Sequence, residues 1–429
     1  MKSTETMSNF QKLIVALCFV LNFNDGIDIM LVSFSSPEIM AEWDLSKTQM
    51  GSIFSAALAG MTLGCFLIAP LADRIGRRKT FFLSLGLEII GMLGIAFCES
   101  YPLLLFLRFL TGLGIGGLLP TMAATAAEFS TEKYRSFNVG LVQAGWPVGA
   151  ILTGLFSAQY IPLYGWRSAF FIAALISVLM LLLVLFILTD SIAFLSQTRP
   201  PYALEKINRI RAKMQLAALE ALPELEKDTV AIHYTSLFSK AYIGITWRSW
   251  LGVFFGFMTL YTVLSWVPTL ANESGLSFGV STYVGVTLNL GAAIGSSLIG
   301  YIGSKIGLQK TILSFMILAF MVMVLYGNLP LFSVIIFVLA FFIGLFVQGG
   351  FNGIWPFLTM VYPVEIRTTG IGFSVGFGRF GAILGPWLFG FLMDLGLPLS
   401  SLFFIFSLPL LMMGFSIWSI KKPQVLKNT

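Results

Sequence analysis

The sequence predicts an all-α membrane protein with twelve transmembrane helices in two pseudo-symmetric six-helix bundles. Composition, the spacing of apolar runs and an internal repeat support this prediction. Of the 429 residues, 57% are hydrophobic and only 11% are charged, whereas soluble proteins carry about 25% charged residues. Because lipid offers the backbone no hydrogen-bond partner, the membrane spans of such a chain must be helical.

Apolar runs long enough to cross a bilayer, roughly 20 residues each, occur twelve times. We number them spans 1–12 in chain order. The first six lie near residues 12–36, 49–72, 79–98, 102–127, 137–160 and 166–189. The second six lie near residues 248–271, 281–303, 309–329, 332–358, 369–393 and 399–420.

An internal repeat relates the two sets of spans. The loop motif around Gly76 has a fainter copy around Gly307, 231 positions later. A second repeated pattern, an arginine followed some turns later by Gly-Ala-Ile-Leu, starts at Arg135 and again at Arg367, 232 positions later. Two repeated patterns at nearly the same offset predict that the chain consists of two related bundles.

The repeat divides the chain into an N-terminal six-helix bundle, residues 1–189, and a C-terminal one, residues 248–429. Residues 190–247 are the long polar interval between them and are predicted to be a cytoplasmic linker. Four apolar residues recur there at the spacing of an amphipathic helix: Leu204, Ile207, Ile210 and Met214. A plain connector and a regulatory helix that binds a partner are both open.

The distribution of Lys and Arg predicts the orientation, since cytoplasmic loops carry the excess. Counted with the first two residues of the span that follows, the short odd-numbered connections hold only Lys47 and Arg167, whereas the short even-numbered ones hold nine basic residues. Both termini are therefore expected in the cytoplasm. The net charge of +6 is explained by this topology in the lipid bilayer and requires no nucleic-acid partner.

The sequence contains no motif that predicts catalysis. Cys18, Cys65 and Cys98 are scattered without the spacing of a metal or redox site. The single histidine, His233, lies in the linker, so any proton that crosses the membrane must be carried by carboxylates. We expect no enzyme activity, no cofactor and no metal.

Two aspartates in span 1 are the strongest candidates for proton coupling. A charge at the bilayer centre costs at least about 2.5–3.5 kcal/mol, so each one retained there needs a reason. Asp25 and Asp28 lie one helical turn apart and repel each other when both are ionised, which favours proton loading. The structural alternative is a pair with Arg108 or with the backbone.

Buried cations are the candidates for binding an anion. Arg108 in span 4 lies at a depth compatible with Asp28, which allows a pair between them. Arg379 falls near the middle of span 11, and its planar, permanently charged fork suits a carboxylate. For Glu88 in span 3, a supporting role and a functional role are both open.

Five further side chains are candidate substrate contacts, although polar groups in spans also serve as interhelical hydrogen-bond partners. They are Gln143 and Trp146 in span 5, Asn289 in span 8, and Gln348 and Asn352 in span 10.

Residues 69–79, residues 108–116 and the copy near Ser304 resemble the conserved motifs of the major facilitator superfamily, and the resemblance covers essentially the whole chain. Residues 25–28 and 362–370 further resemble the family of aromatic acid and proton symporters of bacterial inner membranes. The resemblance implies alternating access between two bundles, with the substrate held centrally. Spans 1, 4, 5, 7, 8, 10 and 11 would line the path.

The resemblance also implies a conformational latch on the cytoplasmic side. Its members would be Asp73, Arg74, Gly76, Arg77 and Arg78, with Glu128 or Glu132 as partners, and Glu365 and Arg367 at the entry to span 11. The chain departs from the family pattern at Ala69, Ser304 and residues 189–191, so the second copy of the latch is expected to be weak.

The sequence therefore predicts a monomeric proton-coupled symporter of the bacterial inner membrane that imports a small organic anion, with an aromatic carboxylate as the leading candidate. One alternative is a proton-driven exporter of drugs or metabolites, because Gly140, Gly145, Pro147 and Gly149 partly resemble an antiporter motif. The other is a receptor that senses a ligand through the linker and transports nothing.

Overall fold

The computed structural model describes residues 6–222, 237–240, 242–329 and 333–420, without the side chains of Ser333, Val364, Glu365 and Thr368. These residues contain helices and no strand. The helices are α1 (Asn9–Trp43), α2 (Lys47–Leu67), α3 (Leu71–Ile75), α4 (Arg77–Ala96), α5 (Tyr101–Glu128), α6 (Arg135–Gln143), α7 (Gly145–Ile187), α8 (Ile192–Thr198), α9 (Ala203–Lys213), α10 (Ile243–Glu273), α11 (Phe278–Ile306), α12 (Leu308–Asn328), α13 (Ser333–Asn352), α14 (Ile354–Val361), α15 (Val364–Asp394) and α16 (Leu399–Trp418).

The predicted membrane spans are present. Eleven helical stretches of the described residues are long and apolar enough to cross a membrane. The longest, Arg135–Ile187, is interrupted at Gly165, whose φ of 77° lies in the left-handed region. Divided there, it supplies spans 5 and 6, so all twelve spans have a helix.

The backbone repeats at the turns between corresponding spans. Three pairs of residues with positive φ are each separated by the 231 positions seen in the sequence repeat: Asp44 and Gly275, Gly76 and Gly307, and Gly165 and Gly396. A positive φ is rare outside glycine. Its recurrence at one offset confirms that the two halves are pseudo-symmetric.

Glycines also bring corresponding helices into backbone contact. A Cβ on Gly60 of α2 would overlap the carbonyl oxygen of Phe109 in α5. In the second half, a Cβ on Gly291 of α11 would overlap the carbonyl oxygen of Phe341 in α13. Small residues allow transmembrane helices to approach this closely.

Gly60→Ala is expected to lower the melting temperature of the protein in detergent, because overpacking a close interface costs about 1–3 kcal/mol. Gly86→Ala is the matched control, since a Cβ on this helical glycine of α4 meets nothing within 4 Å. Differential scanning fluorimetry compares the two variants. Equal melting temperatures would contradict a backbone contact at Gly60.

The helices form two compact units. The first contains Met1–Ile29, Ala59–Thr153 and Arg167–Thr229, and the second contains Met30–Leu58, Gly154–Trp166 and Val230–Thr429. Within the second unit, the C-terminal ends of spans 1 and 5 and the N-terminal end of span 2 therefore pack with the helices of the C-terminal half. The sequence-based boundaries at residues 189 and 248 stay a prediction from the repeat.

The predicted amphipathic helix of the linker is α9. Its apolar residues Ile207 and Ile210 are buried in the core of the first unit, which also contains Ile14 and Phe129. The charged side chains of Glu205 and Arg209 are exposed. The apolar face of α9 is thus covered by the protein itself.

Candidate functional site

The first unit buries an ion pair between spans 1 and 4. Arg108 Nη1 donates a hydrogen bond to Asp28 Oδ1 at 2.9 Å, and the two side chains are 2% and 0% exposed. Helix depth estimated from the sequence allows this pair. Removing one partner of a buried ion pair costs about 3–5 kcal/mol, so Asp28 and Arg108 are held in place by each other.

Asp25 is buried one turn away from this pair and has a different environment. Neither oxygen of its carboxyl group has a hydrogen-bond partner among the described residues. It interacts electrostatically with the carboxyl groups of Glu88 and Asp28. Because an unpaired buried charge is costly, a proton on Asp25 removes an unfavourable charge. Asp25 is the carboxyl group best suited to binding and releasing a proton.

Glu88 of α4 belongs to the same cluster. Its Oε1 accepts hydrogen bonds from Asn24 Nδ2 and, at 3.1 Å, from Ser177 Oγ. Its Oε2 is buried without a hydrogen-bond partner in the described part of the chain. Sequence reasoning did not identify Asn24 or Ser177, since they lie on spans 1 and 6 and only the packing brings them to Glu88.

The second unit surrounds Arg379 of α15 with aromatic rings. The guanidinium lies 5.2 Å from the centre of the Phe257 ring, and its Nη1 is 3.3 Å from the hydroxyl oxygen of Tyr261. Phe257 contacts Phe351 with ring centres 4.6 Å apart. Trp355 packs against Phe351 in turn, at 5.7 Å. These aromatic residues were not singled out in the sequence.

Tyr261 and Trp355 are only half-buried, whereas Arg379 is 8% exposed. The cluster therefore offers ring faces beside a largely desolvated cation. A guanidinium can form charge-assisted hydrogen bonds with a carboxylate, and the rings can stack on an aromatic ligand.

The other five predicted substrate contacts differ in their hydrogen bonds and in their exposure. Asn352 Nδ2 donates to Ser296 Oγ at 2.6 Å, and Asn289 Nδ2 donates to Gly285 O within its own helix at 2.9 Å. Gln348 is half-buried and its Oε1 has no hydrogen-bond partner in the described residues. Trp146 is half-buried, and Gln143 is exposed.

The predicted latch is built around Arg77 at the start of α4. Arg77 Nη1 bonds Asp73 Oδ1 at 2.7 Å and Nη2 bonds Glu128 Oε1 at 2.8 Å. Glu128 is thus the acidic partner in α5. Glu132 is exposed and has no hydrogen bond or ion pair with the described residues. Arg74 is also exposed.

Asp190 fixes the turn at Gly76. Its Oδ1 accepts from the backbone N–H of Arg78 at 3.2 Å, and a Cβ at Gly76 would meet this oxygen at 2.5 Å. Gly76 also has a φ of 96°. Sequence reasoning recorded Asp190 only as a departure from the family pattern, so its structural role was missed.

The second copy of the latch differs from the first. Ser304 Oγ donates to Tyr301 O within its own helix, and Lys305 Nζ bonds the Tyr301 hydroxyl at 2.6 Å. Arg367 Nε donates to Tyr362 O at 3.3 Å. The side chain of Glu365 lies outside the described residues.

A charged cluster that the sequence did not predict joins the ends of three helices in the second unit. Asp394 at the end of α15 accepts from the backbone N–H groups of Lys47 and Thr48 at 3.0 and 2.8 Å, and from Thr48 Oγ1 at 2.6 Å. Lys47 forms an ion pair with Glu273 of α10. The N-terminus of α2 is thus capped by a carboxylate from α15, and an open cavity of about 290 Å³ borders the cluster.

Comparison with known proteins supports the same fold. The family model of the Major Facilitator Superfamily matches residues 18–360. The 4-hydroxybenzoate transporter PcaK of Pseudomonas aeruginosa is 30% identical over 397 residues, which cover 92% of this chain and 89% of the relative. A gallate transporter of Pseudomonas putida is 31% identical over 406 residues, covering 93% and 89%.

Among solved structures, the inward open conformation of the xylose transporter XylE from E. coli aligns with a TM-score of 0.76. The alignment covers 98% of both chains at 19% identity, a likeness of fold alone. The match to the family model covers most of the chain, and two known transporters are similar over more than nine-tenths of it. The chain therefore belongs to the Major Facilitator Superfamily of membrane transporters and is not an enzyme.

Proposed function

We propose that this protein is a proton-coupled symporter that imports a small aromatic carboxylate across a bacterial inner membrane, as a monomer with both termini in the cytoplasm. The relatives named for 4-hydroxybenzoate and gallate support this substrate class. Alternating access is the transport mechanism that the family resemblance implies.

The observation that carries the substrate class is the setting of Arg379. A carboxylate on the guanidinium and an aromatic ring against the faces of Tyr261 and Trp355 would use the cation and the aromatic surface at once. An aliphatic acid would use only the first of these. Neutral polar groups of α13, Gln348 and Asn352, are further candidates to contact ring hydroxyls.

Asp25 is the proposed proton carrier. The proton enters from the outer side, binds the Asp25 carboxyl and leaves to the cytoplasm after the substrate has been delivered. Asp28 has a different role, because its pair with Arg108 keeps both charges balanced. A loaded transporter carries less uncompensated buried charge than an empty one, which would favour the conformational switch.

Asp394 of the C-terminal half caps α2 of the N-terminal half, so its contacts would stabilise the closed state of the outer side. The Arg77 latch would act on the cytoplasmic side.

Asp394→Asn removes an anion from the N-terminus of α2, which is worth about 1–2 kcal/mol. The population of the state that is open to the outside should therefore rise roughly 5- to 30-fold. In a background without the native cysteines, the buried Ser36→Cys should then react faster by that factor with a membrane-impermeant maleimide added outside. Asp44→Asn, an exposed neutralisation nearby, is the control, and an unchanged rate in Asp394→Asn would rule out this role.

The function is tested with purified protein in proteoliposomes. Labelled benzoate, 4-hydroxybenzoate, gallate and an aliphatic acid of similar size are offered with and without an inwardly directed proton gradient. We expect the aromatic acids to accumulate only with the gradient and the aliphatic acid to accumulate little. Absence of uptake for every acid, together with gradient-driven loss of preloaded compounds, would overturn import in favour of export.

A further inference from the structure

The buried cluster of the first unit contains more acidic groups than one proton carrier needs. Asp25, Asp28 and Glu88 are each 0% exposed, and Arg108 is the one cation that bonds any of them among the described residues. The Asp28 and Arg108 charges cancel. Asp25 and Glu88 remain without a cation, so the cluster is electrically neutral only when both of them hold a proton.

Glu88 is positioned more precisely than a packing residue requires. Asn24 and Ser177 hydrogen-bond each other at 2.9 Å and both bond Oε1 of Glu88, so α1, α4 and α7 meet at one oxygen. Its other oxygen, Oε2, has no partner in the described residues. An amide or a hydroxyl could make the bridge between the helices, but only a carboxyl group adds an oxygen that can bind a proton.

The hydrogen bond from Asn24 brings Glu88 close to the rest of the cluster, because Asn24 is the neighbour of Asp25 in α1. A Cβ on Gly114 of α5 would meet Ser84 O at 2.5 Å and Glu88 N at 3.1 Å, so α5 lies directly against α4 at this residue. Glu88 interacts electrostatically with Asp25 and Asp28. Its charge therefore affects the ionisation of Asp25, because two desolvated anions at short range repel each other strongly.

We propose that Glu88 is a second proton-binding site of the transport cycle, coupled to Asp25 and oriented by the positioning residues Asn24 and Ser177. This inference rests on the proposed function and adds to it the number of protons. Two protons and one carboxylate anion enter per cycle, one proton on Asp25 and one on Glu88, and both are released to the cytoplasm. The wild-type cycle then moves a net charge of one positive unit inward.

Glu88→Gln keeps the shape and an oxygen for Asn24 and Ser177 but cannot bind the second proton. We expect its cycle to move one proton with one anion and to be electroneutral. Glu99→Gln, which changes an exposed glutamate beyond the end of α4, is the matched control and should keep two protons per acid.

The experiment measures 4-hydroxybenzoate uptake into proteoliposomes under a potassium diffusion potential set with valinomycin, and the proton-to-acid ratio from a pH dye and the label. In wild type, an inside-negative potential should stimulate uptake and the ratio should be two; in Glu88→Gln, the potential should have no effect and the ratio should be one. A merely structural role for Glu88 would slow transport or reduce yield without changing the ratio.

A wild-type ratio of one would overturn the inference, even if Glu88→Gln fails to fold, and so would a ratio of two in Glu88→Gln. In both cases the proposed symport would stand. Wild-type uptake that no proton gradient affects would instead reject the proposed function itself.

Discussion

Asp25→Asn is expected to lower gradient-driven accumulation of the aromatic acid, because only the Glu88 proton remains to drive it, while leaving exchange of labelled for unlabelled acid measurable. Asparagine has nearly the shape of a protonated aspartate but cannot release a proton. Both Asp25 oxygens lack hydrogen-bond partners among the described residues, so the substitution breaks no bond that the structure contains. The variant should therefore bind and exchange substrate in the proton-loaded form but lose the part of the coupling to the gradient that Asp25 carries.

The measurements are the accumulation ratio under an inwardly directed proton gradient and the rate of counterflow without one. Asp44→Asn, which changes an exposed residue just beyond the end of the same helix, should accumulate substrate like wild type. If Asp25→Asn accumulates substrate fully, the assignment of the coupling site to Asp25 is wrong. Loss of both accumulation and exchange would point to a folding or binding defect and would equally contradict it.

Arg379→Gln is expected to weaken binding of 4-hydroxybenzoate about 10- to 150-fold, since a hydrogen bond to a charged group contributes about 1.5–3 kcal/mol. Arg379→Lys keeps the charge but loses the planar fork, so its affinity should lie between those of wild type and Arg379→Gln. Affinity can be measured by isothermal titration calorimetry, or by quenching of tryptophan fluorescence because Trp355 lies in the same cluster.

Comparing a charged ligand with a neutral one distinguishes a loss of charge recognition from general damage to the binding site. Wild type should bind 4-hydroxybenzoate more tightly than 4-hydroxybenzamide, and Arg379→Gln should lose this discrimination while retaining its affinity for the amide. Arg248→Gln, which changes an exposed arginine of α10, should behave like wild type. Equal discrimination in Arg379→Gln would show that another group binds the carboxylate.

The transmembrane architecture could be predicted from the sequence because each of its signals is local or periodic. Apolar length predicts the spans, and the repeat offset predicts the pairs of turns with positive φ, such as Gly76 and Gly307. The Asp28 and Arg108 pair could be identified as a candidate, because rise per residue fixes the depth of each group and a buried charge needs a partner of opposite sign.

The remaining contacts depend on how the helices pack, which one sequence does not specify. Ser177 is one of many hydroxyls in the spans until packing brings it to Glu88. Asp394 caps α2 over a sequence separation of 346 residues. Tyr261 and Trp355 could not be distinguished in a chain with 41 phenylalanines, 12 tyrosines and 9 tryptophans, since most aromatic side chains in such proteins serve packing.

The most direct test of proton-coupled import is the direction of proton movement when only the substrate gradient is imposed. 4-Hydroxybenzoate is added outside proteoliposomes at equal internal and external pH, and a dye reports the external pH while the label reports uptake. Protein-free liposomes correct for passive permeation of the acid. The account predicts external alkalinisation that rises and saturates with uptake, whereas uptake without a pH change, or with acidification, would contradict it.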